Sequence, residues 1–264
     1  MTCGAVDTGP SDSENLRKAY QALSQNDFVT ARQLLQEVVA NAPTEYVYSY
    51  RDGDSLYVKF WTREEFIQYV SGTKPNEREN VVWIQNVYPQ AYYYLAILDV
   101  NGGNYQNAIL NLEKSLKLEP DQPLTLCELA YTIGVQMGDH DAALSLYEKA
   151  IHSRDYITSS VKATALRGKG VQLIELGRLN EAEVCFRESL QLEPDNELAY
   201  GELIYISKLK SGGNPSPTIG LEMTREVPAN SCSSCGKELG AEGAVFNKKG
   251  KLIYRCKKCE ELLA

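Results

Sequence analysis

One pattern recurs along the first two thirds of the chain and restricts its fold more than any other feature. Three stretches align without gaps: GNYQNAILNLEKSLKLEP from Gly103, GDHDAALSLYEKAIHSRD from Gly138 and GRLNEAEVCFRESLQLEP from Gly177. Each starts at a glycine and then places apolar residues three or four positions apart, which is the spacing of one helical face. A fainter copy, NDFVTARQLLQEVVANAP, begins at Asn26. Self-similarity of this kind predicts stacked copies of one helical unit.

A second amphipathic segment precedes each copy, so the repeating unit is predicted to be a helical hairpin. The upstream segments run from Leu16 to Leu23, Tyr92 to Val100, Leu126 to Val135 and Leu166 to Leu176. Three of the units are closed by a proline, which cannot continue a helix beyond its first turn. These residues are Pro43, Pro120 and Pro194.

The hairpin pattern resembles the tetratricopeptide repeat (TPR), a family of stacked helix pairs with a unit of about 34 residues. The resemblance implies a mainly α fold, a superhelical solenoid of helical hairpins that covers most of residues 12–210. The predicted repeats are 12–43, 88–122, 123–157 and 158–194, and a capping helix is predicted at 195–210. Ala19, Ala96 and Gly170 stand where the family packs its first helix closely on its second, whereas Tyr131 is oversized for that position.

Residues 44–87, between the first two repeats, predict a small α/β insertion. Asp52 and Gly53 form a turn pair that permits a tight β-hairpin. Thr62 and Glu65 have the spacing of a capping box that starts a short helix, and NVVWIQ predicts a third strand. The tyrosines of the insertion are explained either by packing or by a binding surface. They are Tyr46, Tyr48, Tyr50 and Tyr57.

Four cysteines in two matched pairs predict a metal site near the C-terminus. Residues 211–229 read as a flexible linker, and residues 230–264 are too few to form a stable apolar core unaided. The ligands are predicted to be Cys232, Cys235, Cys256 and Cys259. Their spacing suits a four-thiolate zinc site, and two strands joined at residues 247–250 complete a resemblance to a zinc ribbon. We expect one structural zinc per chain; reduced thiols, disulfides or iron are the alternatives.

Charge is distributed unevenly along the chain. The formal net charge is −8, yet residues 230–264 hold seven basic and four acidic residues, a net charge of +3 that leaves −11 for residues 1–229. The acidic part disfavours binding to nucleic acid or to an anionic membrane. The basic part permits a nucleic-acid contact, although so small a net charge favours the explanation that the lysines are solvated surface residues. The residues concerned are Lys248, Lys249, Lys251 and Arg255.

No catalytic residue is predicted, and we expect a protein that is not an enzyme. His140 and His152 fall within the repeat pattern, and Cys127 and Cys185 lie on apolar helical faces. No phosphate-binding glycine loop is present. The first eleven residues are expected to be a disordered tail. The start lacks the apolar stretch of a secretion signal, and no apolar run reaches the roughly 18 residues of a membrane span, so a cytoplasmic location without membrane contact is expected.

The resemblance implies that the first helices of the repeats line a groove that holds a peptide or helix of a partner protein. Carried over repeat by repeat, the predicted groove residues are Arg17, Tyr20, Tyr93, Ile97, Glu128, Thr132, Arg167 and Val171. The sequence therefore predicts a protein–protein interaction adaptor whose zinc ribbon provides a second contact. The alternative is a regulatory protein whose basic ribbon contacts DNA or RNA.

Overall fold

The protein is described by a computed structural model over residues 10–44, 46–72, 80–212, 244–246 and 252–254. Two compact units, residues 1–168 and 169–264, divide the chain within helix α8. The helices of the described residues are α1 (Pro10–Ser24), α2 (Phe28–Ala40), α3 (Arg63–Gly72), α4 (Val87–Asn101), α5 (Tyr105–Leu118), α6 (Pro123–Tyr131), α7 (His140–Ile151), α8 (Ser159–Glu175), α9 (Leu179–Leu192) and α10 (Glu197–Lys210). A π-helix, Thr132–Gln136, follows α6.

Each hairpin of the first unit turns at the residue that opens its repeated motif. Gly103 and Gly138 have φ angles of 71° and 77°, and Asn26 has a φ of 60°. Glycine adopts this left-handed conformation without strain, and asparagine tolerates it better than most residues do. The next residue then starts the second helix: the carboxylates of Asp27 and Asp139 accept hydrogen bonds from backbone N–H groups of α2 and α7. The predicted helical hairpins are therefore confirmed.

The core of the first unit shows that the first two repeats stack directly on each other. Helix α2 packs against α4, and one cluster of buried residues joins Leu16, Leu35, Val38, Ala91 and Leu95. The chain consequently leaves the stack of repeats after α2, forms the 44–87 insertion, and rejoins the stack at α4. The insertion does not separate the two repeats.

The insertion contains a three-stranded sheet in the order β1 (Ser49–Asp52), β2 (Ser55–Phe60) and β3 (Val81–Gln85). Strands β1 and β2 are antiparallel, with Asp52 opposite Ser55, which confirms the hairpin at Gly53. Strand β3 runs parallel to β2, and α3 lies between them in the chain. The capping box is also confirmed, because Thr62 Oγ1 accepts from Glu65 N at 3.2 Å and Glu65 Oε2 accepts from Thr62 N at 3.1 Å.

In the second unit, α10 packs against α9, as expected of a capping helix. A Cβ atom on Gly170 would lie 2.7 Å from the buried ring of Phe186, so the side-chain hydrogen of glycine permits this close helix packing. Strands β4 (Ala244–Phe246) and β5 (Leu252–Tyr254) pair antiparallel. The predicted linker from residue 213 onward and the cysteines of the predicted zinc ribbon lie outside the described residues.

Two expectations need correction. Helix α1 begins at Pro10, two residues before the predicted start of the first repeat; residues 1–9 are outside the described part of the chain. Tyr131 does not occupy the closely packed position of the third repeat, because its side chain is 38% exposed while Ala130 is fully buried. The π-helix after α6 accommodates the extra residue that this shift requires.

Candidate functional site

The first helices α1, α4 and α6 carry most of the predicted groove residues. Arg17 and Tyr20 on α1 are exposed, and the exposed fraction of Tyr20 is 60%. Tyr93, Ile97 and Glu128 are half-buried. Thr132 is fully buried and its hydroxyl donates to the carbonyl of Glu128 at 2.8 Å, so its side chain does not line an accessible surface. Arg167 and Val171 are half-buried residues of α8 on the two sides of the unit division.

A cavity of about 500 Å³ lies where α1 and α4 meet the insertion. Arg17 and Tyr20 line it from α1, Trp61 from the insertion, and Gln90 and Tyr94 from α4. The structure therefore brings together two predicted residues, Arg17 and Tyr20, with three residues that the sequence analysis did not select.

Four aromatic rings form a continuous row, and three of them, Tyr20, Tyr94 and Trp61, line this cavity. The ring centroids of Tyr20 and Tyr94 are 6.1 Å apart, those of Tyr94 and Tyr93 are 5.5 Å apart, and those of Tyr93 and Trp61 are 5.2 Å apart. Each distance lies in the range of favourable aromatic contacts. Trp61 packs edge-on against Tyr93, which explains why Tyr93 is less accessible than predicted. Burial raises the pKa of Tyr94 to about 12, so its hydroxyl remains protonated at neutral pH.

The charged groups of the cavity are already paired with each other. Arg17 donates to the Glu14 carboxylate through Nε at 2.8 Å and Nη2 at 2.6 Å. The hydrogen bond from Arg17 lowers the pKa of Glu14, so the pair is ionised and its charges compensate. Gln90 Oε1 is a buried acceptor with no hydrogen-bond partner among the described residues. The site is thus aromatic, nearly neutral, and suited to binding.

A buried polar network fixes the insertion to the repeats, and with it Trp61, which lines the cavity. Glu119, directly after α5, accepts hydrogen bonds from Trp61 Nε1 at 2.7 Å and Asn86 Nδ2 at 2.5 Å. Arg154, after α7, donates through Nη2 to Glu119 Oε1 at 2.9 Å and to Asp121 at 2.8 Å. Its Nη1 lies 3.9 Å from the carboxylate of Glu65 in the insertion.

The environment of Glu119 is strongly desolvating. Burial raises its pKa to about 7 even though the Arg154 guanidinium acts in the opposite direction. The carboxylates of Glu65 and Glu119 and the guanidinium of Arg154 are all nearly inaccessible to solvent. Buried charges of this kind require partners, and the three groups depend on one another.

All four tyrosines singled out in the insertion take part in packing contacts. The Tyr46 hydroxyl donates to Asn86 Oδ1, and the hydroxyls of Tyr48 and Tyr156 are 2.9 Å apart. The Tyr50 and Tyr57 rings stack at 4.9 Å. The packing explanation of the sequence analysis is therefore the one that these contacts favour.

The residues predicted to be structural behave as expected. Cys127 and Cys185 are both buried, and burial raises the pKa of Cys127 to about 12, so it remains a thiol. His152 is exposed beside Glu148 at 3.6 Å, and His140 is half-buried at the start of α7.

Two further predicted sites fall beyond the described residues: the four cysteines and the basic set Lys248, Lys249, Lys251 and Arg255. Within the described ranges, no group of three or more histidine, cysteine, aspartate or glutamate residues has metal-binding geometry. None of the described helices combines the length and the apolar character needed to cross a bilayer.

Comparison with known proteins supports the repeat assignment. Two models of the tetratricopeptide repeat family match residues 89–122 and 163–196. Among curated proteins, the chain is 32% identical over 108 residues to a Photosystem I assembly protein Ycf3 of Prochlorococcus marinus, covering 38% of this chain and 61% of that protein. A second Ycf3 from another strain is 35% identical over 102 residues, covering 36% and 57%. The chain thus spans about three fifths of the curated relatives that it matches.

Solved structures show the same fold at low sequence identity. PilW, a type IV pilus biogenesis factor, has a TM-score of 0.56 at 14% identity, covering 77% of this chain and 71% of its own. MamA of Desulfovibrio magneticus RS-1 has a TM-score of 0.52 at 14% identity, covering 77% and 88%. The chain therefore contains tetratricopeptide repeats and has a mainly helical, TPR-like fold with a small three-stranded sheet.

Proposed function

We propose that this chain is a non-enzymatic adaptor that holds a segment of a partner protein against the first helices of its repeats. The observation that carries the proposal is the cavity of about 500 Å³ walled by Tyr20, Trp61 and Tyr94. Aromatic residues are enriched at protein interfaces, because they supply a large apolar contact area together with a polar tip. Tyr20, which lines this cavity and is 60% exposed, can pack against an apolar side chain of a partner.

The chemistry of the cavity favours binding over catalysis. Its described lining residues include no histidine or cysteine, and its two ionised groups, Glu14 and Arg17, neutralise each other. The protein-binding role common to TPR domains agrees with this reading. The relatives named as assembly proteins favour a more specific role, in which the adaptor holds a subunit while a larger complex is assembled.

The test is a selection of random peptides displayed on phage against the full chain, followed by affinity measurement with the selected peptides. Tyr20→Ala and Tyr94→Ala should each weaken binding about tenfold or more, since a buried aromatic contact at an interface contributes about 1 to 2 kcal/mol or more. Phe28→Ala is the matched control: Phe28 is an aromatic residue of α2, 48% exposed, that does not line the cavity. Equal affinity of all four proteins would reject the proposal.

We also propose that Cys232, Cys235, Cys256 and Cys259 bind one structural zinc and that this segment provides a second contact to the partner. The antiparallel pair β4 and β5 between the two cysteine pairs supports the proposal. Elemental analysis of the purified full chain should give about one zinc per chain, and Cys235→Ser should lose it. A metal content near zero would contradict the zinc site and would leave the cavity proposal intact.

A further inference from the structure

The third repeat contains one residue more than the others between its two closely packed small residues. In the first, second and fourth repeats these residues are twelve positions apart: Ala19 and Ala31, Ala96 and Ala108, Gly170 and Ala182. In the third repeat the fully buried residues are Ala130 and Ala143, thirteen positions apart. The extra residue must be accommodated between them.

The π-helix Thr132–Gln136 lies in this interval. A π-turn spans one more residue than an α-turn, so it allows α6 to place Ala130 in the packed position while α7 keeps Ala143 in its own. A continuous α-helix would put Tyr131 at that position. Instead, Tyr131 and Val135 are 38% and 46% exposed, and Thr132 and Gly134 turn into the interior.

This arrangement exposes an aromatic residue of α6, Tyr131, that lies outside the cavity lining. Helices α4 and α6 contribute to one buried cluster that joins Ala96 and Leu129, and Tyr93, a member of the aromatic row, packs against that cluster. The Tyr131 hydroxyl accepts a hydrogen bond from Gln136 Nε2 at 3.3 Å, which leaves its own hydrogen to donate. Single π-turns are rare in helices and are frequently found at functional sites.

We infer that Tyr131, and not Thr132, is the partner-contacting residue of the third repeat, and that the π-helix serves to expose it. The inference rests on the proposed function and extends its site from the cavity to α6. The partner segment that fits is one with an apolar side chain that packs on the Tyr131 ring and Val135. A carbonyl oxygen of the same segment accepts the hydrogen bond from the Tyr131 hydroxyl.

Two substitutions separate binding from stability at neighbouring positions. The probe is the set of peptides selected by the full-length wild-type chain, with affinity measured by fluorescence anisotropy and stability by chemical unfolding. Tyr131→Ala should weaken binding about tenfold while the chain remains folded in the absence of denaturant, because the ring is 38% exposed and its removal leaves no buried polar group unpaired. Thr132→Val should lower the midpoint, since it removes a buried hydrogen bond, and leave affinity within about twofold. Leu110→Ala is the control, a 53% exposed apolar residue of the second helix α5.

The outcomes distinguish this inference from the function on which it rests. Binding that depends on Tyr20 and Tyr94 but stays within twofold for Tyr131→Ala overturns the inference and keeps the proposed function. Affinity lost for Thr132→Val and kept for Tyr131→Ala restores the original residue assignment and also overturns it. A wild-type chain that selects no peptide at all overturns both.

Discussion

Removing Arg154 tests whether the buried network fixes the insertion to the repeats. Arg154→Met replaces the arginine with a long apolar side chain and so leaves the carboxylates of Glu65 and Glu119 buried without their cation. Breaking a buried ion pair by removing one partner costs about 3 to 5 kcal/mol. Because the pKa of Glu119 is about 7, the carboxyl can reduce this cost by holding a proton. The loss should therefore be larger at pH 8 than at pH 6.

The assay is guanidinium unfolding followed by two signals. Both tryptophans of the chain, Trp61 and Trp83, lie in the insertion, so their fluorescence reports on it, while circular dichroism reports on all helices. The fluorescence transition of Arg154→Met should move to lower denaturant more than the circular dichroism transition does.

Two further variants give this prediction its controls. Arg187→Met breaks an ion pair with Glu183 at 2.9 Å in which Arg187 is 42% exposed, and exposed pairs contribute about 1 kcal/mol or less. Adding Glu119→Gln to Arg154→Met should recover part of the loss, because a neutral amide then replaces the unpaired carboxylate. If Arg154→Met unfolds within about 0.5 kcal/mol of the wild type at pH 8, the network does not hold the insertion.

Two other predictions follow from burial and close packing. The pKa of Glu119 is about 7 in the native chain and near its ordinary value of 4.5 in the unfolded chain. Between these values the native state binds the proton and the unfolded state does not, so the free energy of unfolding should fall as the pH rises from 5 to 8. Denaturant titrations of the wild type should show that the free energy of unfolding decreases on the order of 2 kcal/mol over this pH range, and Glu119→Gln should make the decrease smaller. A wild-type free energy of unfolding that rises with pH over the same range would contradict the prediction. Gly170→Ala should destabilise the chain by about 1 to 2 kcal/mol in a circular dichroism melt, because overpacking against Phe186 exceeds the gain in helix propensity. Gly72→Ala, where a Cβ atom meets nothing within 4 Å, should be neutral or stabilising, and equal effects of the two substitutions would refute the packing argument.

Local periodicity was sufficient to predict the repeats, because each helix is specified by its own apolar face and by the turn residue before it. The hairpin at Gly53 and the capping box at Thr62 and Glu65 were predictable for the same reason: their signals lie within a few residues. The parallel pairing of β3 with β2 was not, since it depends on contacts across the intervening helix α3.

The candidate site was harder to predict than the fold. Glu119 and Arg154 are 35 residues apart, and each reads in the sequence as an ordinary solvated charge at the end of a helix. Tyr94 was passed over for its neighbour Tyr93, because the sequence does not show that Trp61 would cover Tyr93. Thr132 was selected because equal repeat geometry was assumed, although thirteen residues instead of twelve separate Ala130 from Ala143. That difference in spacing was the available signal for the π-helix.

The central claim is that a partner segment binds along α1, α4 and the Trp61 side of the insertion. Hydrogen–deuterium exchange of the full chain, with and without a saturating amount of the tightest selected peptide, tests it most directly. The account predicts slower exchange in residues 10–24, 87–101 and 55–62, with α2 and α5 unchanged. Slower exchange confined to α2 and α5 would place the partner on the second helices and contradict the account.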